Sequence, residues 1–210
     1  MDDNTIQVIR PFGPTIAKTK IPTNILKKLN DYSDQIINEP KKLENQNYGK
    51  QLAGNVKQEF KLDKDFIQKS GWGEFLANGV KEWIFLSNQK KITKFTIHES
   101  WIVRQFQNEY NPSHYHSGHV SGVGYLKVPK SFGETFQTGK FNKNGKLELI
   151  HGSKMFLSEA QLGIKPEIGD FYFFPHYLIH LVYPFYGSDE ERRSVSFNAS
   201  VDEKNFSITG

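Results

Sequence analysis

The apolar residues of this chain change their period near Phe95, and that change limits what the chain can fold into. Across residues 21–88 they recur at helical spacing. Pro22-Thr23-Asn24 leads into Ile25, Leu26, Leu29, Tyr32 and Ile36, and Pro40 ends the run. A second run, residues 70–86, carries Trp72, Phe75, Leu76, Val80, Trp83 and Ile84 on one side. Residues 48–62 are ambiguous between the two periods, and Asp63-Lys64-Asp65-Phe66 has the form of a helix start. Stripes of this kind are expected to pack on a sheet.

Beyond Phe95 the texture becomes strand-like. Residues 100–107, 120–128, 171–174, 181–185 and 192–201 read as short strands bounded by Gly, Pro, Asn and Asp. Residues 131–169 are the least regular, with Gly133, Gly139, Gly145, Gly152 and Gly163, and predict hairpins and a mobile loop. Short strand candidates fall there near residues 147–150 and 155–157. A strand, then helices, then many strands predicts a mainly β, α+β chain whose helices buttress one face of a β-sandwich. One domain over residues 1–210 is expected, with a helical part at about 20–90 and a β core at about 95–202.

Several function classes are excluded by what is missing. There is no cysteine, hence no disulfide, no Fe–S cluster, no thiolate zinc site and no Cys nucleophile. The net charge of +4 is spread along the chain with no basic block among stacking aromatics, so nucleic-acid binding is not indicated. Met1-Asp2-Asp3-Asn4 is acidic with no apolar run behind it, and nowhere does an apolar stretch approach the ~18 residues of a membrane span. A cytoplasmic protein without membrane attachment is expected. Phosphate-loop, dinucleotide-binding, zincin and nucleophile-elbow patterns are absent.

The chemistry gathers on histidines. Of seven, His114, His116 and His119 fall within six positions. Strand residues two apart share a face, so His114 and His116 can converge on one ion. An isolated His-x-His is a weak signal, and its meaning depends on the residues downstream of it. His180 is placed to supply a third ligand, which would leave positions on an iron open for substrate and O₂. Twelve positions later comes Arg192-Arg193-Ser194-Val195-Ser196-Phe197-Asn198. Alternation puts Arg192, Ser194, Ser196 and Asn198 on one face, and an inward guanidinium beside a hydroxyl suits a carboxylate.

In order along the chain, these motifs resemble a known family. They are His114-Tyr115-His116, Ser121-Gly122-Val123-Gly124-Tyr125-Leu126, Gly169-Asp170-Phe171-Tyr172-Phe173-Phe174-Pro175, His180, and residues 191–198. Together they are similar to a 2OG-Fe(II) oxygenase family related to the prolyl-hydroxylase-like 2-oxoglutarate-dependent dioxygenases, frequent in phage and marine bacterial genomes. The resemblance covers about residues 100–201. It implies a double-stranded β-helix (a cupin-like jelly roll), with Fe(II) as cofactor and 2-oxoglutarate as co-substrate. It also implies hydroxylation of a small-molecule or protein side-chain substrate, with release of succinate and CO₂.

Carried over by position, the resemblance makes His114, His116 and His180 metal ligands. Arg192, Ser194, Tyr125 and Asn198 become co-substrate residues, and no catalytic residue stands beyond the metal centre. The wider superfamily has an acid where this chain has His116, so His119, Glu109 and Glu99 are alternatives for that ligand. His176 is expected at the pocket or its loop, and Trp101, Tyr115, Tyr177 and Tyr183 are candidate walls. Two competing readings are a three-His cupin dioxygenase without 2-oxoglutarate, and a non-catalytic jelly-roll binding protein. The substrate, and whether the chain forms a homo-oligomer, are not legible.

Overall fold

The computed structural model describes residues 6–9, 13–49, 52–135 and 139–202. Ile25, Leu29, Ser33 and Ile36 lie on one buried stripe of α1 (Thr23–Asn38), which follows Pro22 directly. Pro40 ends this helix as expected, because a residue before proline is driven out of helical geometry. It does more than stop the run: with its fixed φ it becomes the first residue of α2 (Pro40–Gln46). After α3 (Lys64–Lys69), α4 (Trp72–Asn88) buries Trp72, Leu76, Gly79, Val80, Trp83 and Ile84. Gly79 is needed for contact, since a Cβ there would sit 2.5 Å from the Phe173 ring.

Seven strands form the larger sheet: β1 (Gln7–Ile9), β2 (Ile16–Lys20), β3 (Gln58–Lys61), β4 (Phe95–Gln105), β6 (Val120–Lys127), β9 (Asp170–Pro175) and β11 (Arg192–Val201). Their spatial order is β1-β2-β9-β6-β11-β4-β3, antiparallel throughout. The smaller sheet runs β5 (Asn111–His114), β10 (Ile179–Val182), β7 (Leu147–Ile150), β8 (Gln161–Ile164), also antiparallel. This is the jelly-roll architecture, mainly β, with helices on one face.

The two faces of the larger sheet bury different things. One carries Phe60, Ile102, Phe171, Phe173, Val195 and Phe197 into a dry core with α1 and α4. The other contributes Val123, Tyr125, Tyr172 and Phe174 to a second core shared with β7 and β10. Because strand side chains alternate, β11 divides its residues between the two. Gly122 and Gly124 on β6 make room for the first core: Cβ atoms there would lie 2.6 Å from Phe197 and 2.4 Å from Phe171.

Three sequence expectations shift. The ambiguous segment contains a real strand, β3, on the sheet edge beside β4. The strand expected at 181–185 is Ile179–Val182, which starts earlier and is shorter. The candidate at 155–157 is a turn closed by the Met155–Ser158 bridge, with all three side chains exposed and therefore no buried face to hold a strand. Among the described residues, no helix is long and apolar enough to cross a membrane.

Candidate functional site

Three histidines meet between the two sheets. His114 and His180 are direct register partners on β5 and β10. His116 lies past the end of β5, and not within a strand as alternation alone suggests. Its position comes from the backbone: its N–H donates to the His176 carbonyl at 3.0 Å, and the His176 N–H donates to the His119 carbonyl at 3.2 Å. One ring nitrogen from each of His114, His116 and His180 lies within 4.8 Å of the others, a group able to hold a metal ion.

The hydrogen bonds of these rings set which nitrogen faces inward. His114 Nδ1 donates to the Pro112 carbonyl at 2.7 Å, and His180 Nδ1 donates to the Leu178 carbonyl at 2.8 Å. A carbonyl can only accept, so each neutral ring keeps a lone pair on Nε2, as metal binding requires. His180 Nε2 is 3.1 Å from His116 Nε2. Two imidazole nitrogens on neighbouring positions of one ion, each roughly 2.1 Å from it, have about that spacing.

Electrostatics favours the same state. Burial, together with the rings of His180, His114 and His176, holds His116 down to about 3. Burial and His114 hold His180 down to about 4, and burial lowers His114. These imidazoles are neutral at neutral pH and available as donors.

The alternatives for the second ligand are committed elsewhere. His119 turns to β11, where its Nδ1 accepts from the Val201 N–H at 3.0 Å. Glu109 accepts from the N–H groups of Phe106 and Lys57. Glu99 takes hydrogen bonds from Asn198 and Tyr48 and an ion pair from Lys61. No acid joins the histidine group among the described residues.

Beside the histidines runs a narrow cavity, also lined by Trp101, Val103, Arg192, Ser194 and Ser196. Arg192 is 1% exposed, yet its Nε and Nη2 are buried with no hydrogen-bond partner. Tyr125, fully buried, lies under it with its ring centre 5.1 Å from the guanidinium carbon, and its hydroxyl is likewise unpartnered. Burial pushes that hydroxyl up to about 12, so it stays protonated and can donate. Ser194 is the register partner of Tyr125 across β6 and β11 and shares its face. A buried cation, a phenol and a hydroxyl with unused donors fit an anionic group such as a carboxylate.

Asn198 does not join Arg192. It lines the neighbouring cavity, with its amide donating to Glu99 Oε1 at 3.1 Å and its oxygen accepting from Ser121 at 2.8 Å. Of the candidate walls, Trp101 borders both cavities and packs edge-on to His116, and Tyr115 borders the second. Tyr177 packs on His176, while Tyr183 bonds Glu148 outside both cavities. Sequence reasoning missed Glu59, a buried carboxylate in the second cavity. It sits in the ambiguous segment, where no pattern distinguishes it from a solvated glutamate.

A jelly roll that encloses three imidazoles able to hold a metal ion, with a buried arginine beside them, is an arrangement suited to a metal and an anionic ligand. Residues 99–198 match the family model described as "Putative 2OG-Fe(II) oxygenase". That match, just under half of the chain, makes the jelly-roll part similar to the 2OG-Fe(II) oxygenases, oxidoreductases that work with Fe(II) and 2-oxoglutarate. Among solved structures, a Pseudomonas putida prolyl-4-hydroxylase is similar at 15% identity and a TM-score of 0.53, over 87% of this chain and 91% of that one. The non-heme alpha ketoglutarate dependent epimerase SnoN, from nogalamycin biosynthesis, is similar at 10% identity and a TM-score of 0.57, over 88% and 75%. At such identities these likenesses speak for the fold. No curated protein matches the chain by sequence.

Proposed function

We propose that this chain oxidises a C–H bond of an organic substrate, coupling that to conversion of 2-oxoglutarate into succinate and CO₂. In this reading His114, His116 and His180 hold Fe(II). Arg192, with Ser194 and Tyr125, holds the distal carboxylate of 2-oxoglutarate. The observation that carries it is the buried guanidinium of Arg192, with Nε and Nη2 lacking any hydrogen-bond partner, lining the same cavity as the three imidazoles. A buried cation with donors left unused costs stability, which points to a ligand that completes it.

When bound, the iron and its co-substrate supply the oxidising chemistry. The chain's own residues do the rest. The three neutral imidazoles offer nitrogen donors from one side, and Arg192 orients the diacid with a planar, bidentate fork. Trp101, Val103 and Leu147 give the cavity apolar walls that keep water away. The cavity has a volume of only about 40 Å³, water-sized, so a five-carbon diacid has to part these walls to bind.

A three-His dioxygenase that ignores 2-oxoglutarate has no use for Arg192, Ser194 and Tyr125 in this arrangement. Anaerobic titration with Fe(II) and then 2-oxoglutarate decides the matter. A weak visible charge-transfer band is expected, followed by succinate once O₂ is admitted. Iron binding without band or succinate would remove the proposal.

A further inference from the structure

A second cavity, of about 290 Å³, adjoins the first and shares Trp101, Asn111, His114 and His116 with it. Its floor includes Glu59, which projects from edge strand β3 on the same face as its register partner Val103. Glu59 is 1% exposed, and its Oε2 is buried with no hydrogen-bond partner. Its neighbours Gln58 and Lys61, by contrast, find Arg104 and Glu99. A buried carboxylate oxygen left without a donor costs stability unless a donor or cation completes it.

The surroundings say what kind of group would complete it. The cavity's described lining holds two carboxylates, Glu59 and Glu99, and no lysine or arginine. The Asn111 side-chain oxygen lies close by: it and Glu59 Oε1 would each be 2.8 Å from a Cβ built on Gly54. Tyr48, Trp101 and Tyr115 add aromatic faces. Lys61 shows how this wall treats a cation, with its Nζ 3.6 Å from the Tyr48 ring centre and 3.4 Å from Glu99 Oε2. With Glu99 already taken by Lys61, Asn198 and Tyr48, it is Glu59 Oε2 that lacks a donor, and beside the Asn111 oxygen and the Trp101 and Tyr115 faces it matches an ammonium or guanidinium group.

We propose that this cavity is the substrate chamber and that Glu59 binds a cationic group, alkylammonium or guanidinium, of the molecule to be oxidised. The proposal rests on the oxygenase reading only for the word substrate; the cation site stands on its own geometry. Carriers of such a group include free basic amino acids and the side chains of basic residues in peptides.

Calorimetry on the full chain, metal-free and loaded anaerobically with Fe(II) and 2-oxoglutarate, tests it. The probes are Nα-acetyl-lysine amide, Nα-acetyl-arginine amide, free lysine, and Nα-acetyl-norleucine amide as the uncharged shape. At least one cationic probe should bind tenfold or more tightly than norleucine, and free against capped lysine reports the carrier. Glu59→Gln should erase that preference while leaving the charge-transfer band intact. Gly54→Ala, whose methyl would crowd Glu59, should weaken cation binding severalfold and serves if the first variant does not fold. Equal binding of norleucine and the cations, or a preference surviving in folded Glu59→Gln, would overturn the cation site. Loss of the band with the preference intact would overturn the oxygenase reading instead.

Discussion

Arg192 and Arg193 are neighbours in one strand, equally buried at 1% exposure, and treated in opposite ways. Arg193 points toward the helices. Its guanidinium meets Glu191 through Nε at 2.7 Å, Asp34 through Nη2 at 2.7 Å, and Asn30 through Nη1 at 3.0 Å. Arg192 points between the sheets and leaves Nε and Nη2 with nothing. Burial alone therefore says little about the role of a charged side chain; the hydrogen-bond account separates them. A completed account marks a structural residue, and an open one marks a place where a ligand is expected.

The sharpest way to break this contrast is to truncate each arginine in turn. Arg193→Ala removes a buried guanidinium from Glu191, which keeps Arg104, and from half-exposed Asp34, which keeps Lys127, and should cost roughly 2 kcal/mol in urea unfolding. Arg192→Ala should cost little or nothing in the same assay, yet weaken 2-oxoglutarate at least 100-fold by anaerobic titration. If Arg192→Ala unfolds the protein and Arg193→Ala does not, the assignment of roles is reversed.

Glu59 extends the comparison to an anion. Burial, and then the charge of Glu109, raise it from an ordinary 4.5 to about 7. A raised carboxyl keeps its proton in the folded chain after the unfolded chain has lost it. Stability from this group therefore falls as pH rises from about 4.5 to about 7 and stays low above. The cost is on the order of 3 kcal/mol. Glu59→Gln should be the more stable protein at pH 8, and its advantage should shrink toward pH 4.5. Comparing the two chains at each pH by urea unfolding cancels the opposite slope of the histidines. A constant difference would mean that Glu59 is not desolvated.

Smaller effects refine the picture. Tyr125→Phe removes a buried hydroxyl without a partner, so Tm should hold or rise while 2-oxoglutarate binding falls about tenfold. Ser194→Ala should lower that affinity by only a few fold, since a neutral hydroxyl adds roughly 1 kcal/mol. A larger effect from Ser194 than from Tyr125 would reorder the pocket.

Much of this was legible before the fold was known, for a physical reason. Strand alternation is strict, so the sides of Arg192, Ser194, Arg193 and Phe197 followed from position alone. The meeting of His114 with His180 rested on ordered motifs. Other features escaped because they depend on contacts distant in sequence. His116 is positioned by a hydrogen bond to residue 176, not by a strand. Asn198 is drawn by Glu99 and Ser121 into the other cavity. Glu59 became informative only once its lack of a donor could be counted.

Gly122 and Gly124 have a consequence of another kind. With the rings of Phe197 and Phe171 lying where their side chains would be, β6 is sealed on the helix side and carries Ser121, Val123 and Tyr125 on the other. The strand behaves as a partition. Mutational drift on the chemical side can proceed one residue at a time without asking the aromatic side to repack, whereas any residue larger than glycine at 122 or 124 must displace both a ring and its neighbours. A lineage built on this chain is thus free to change what it binds and bound to keep how it folds.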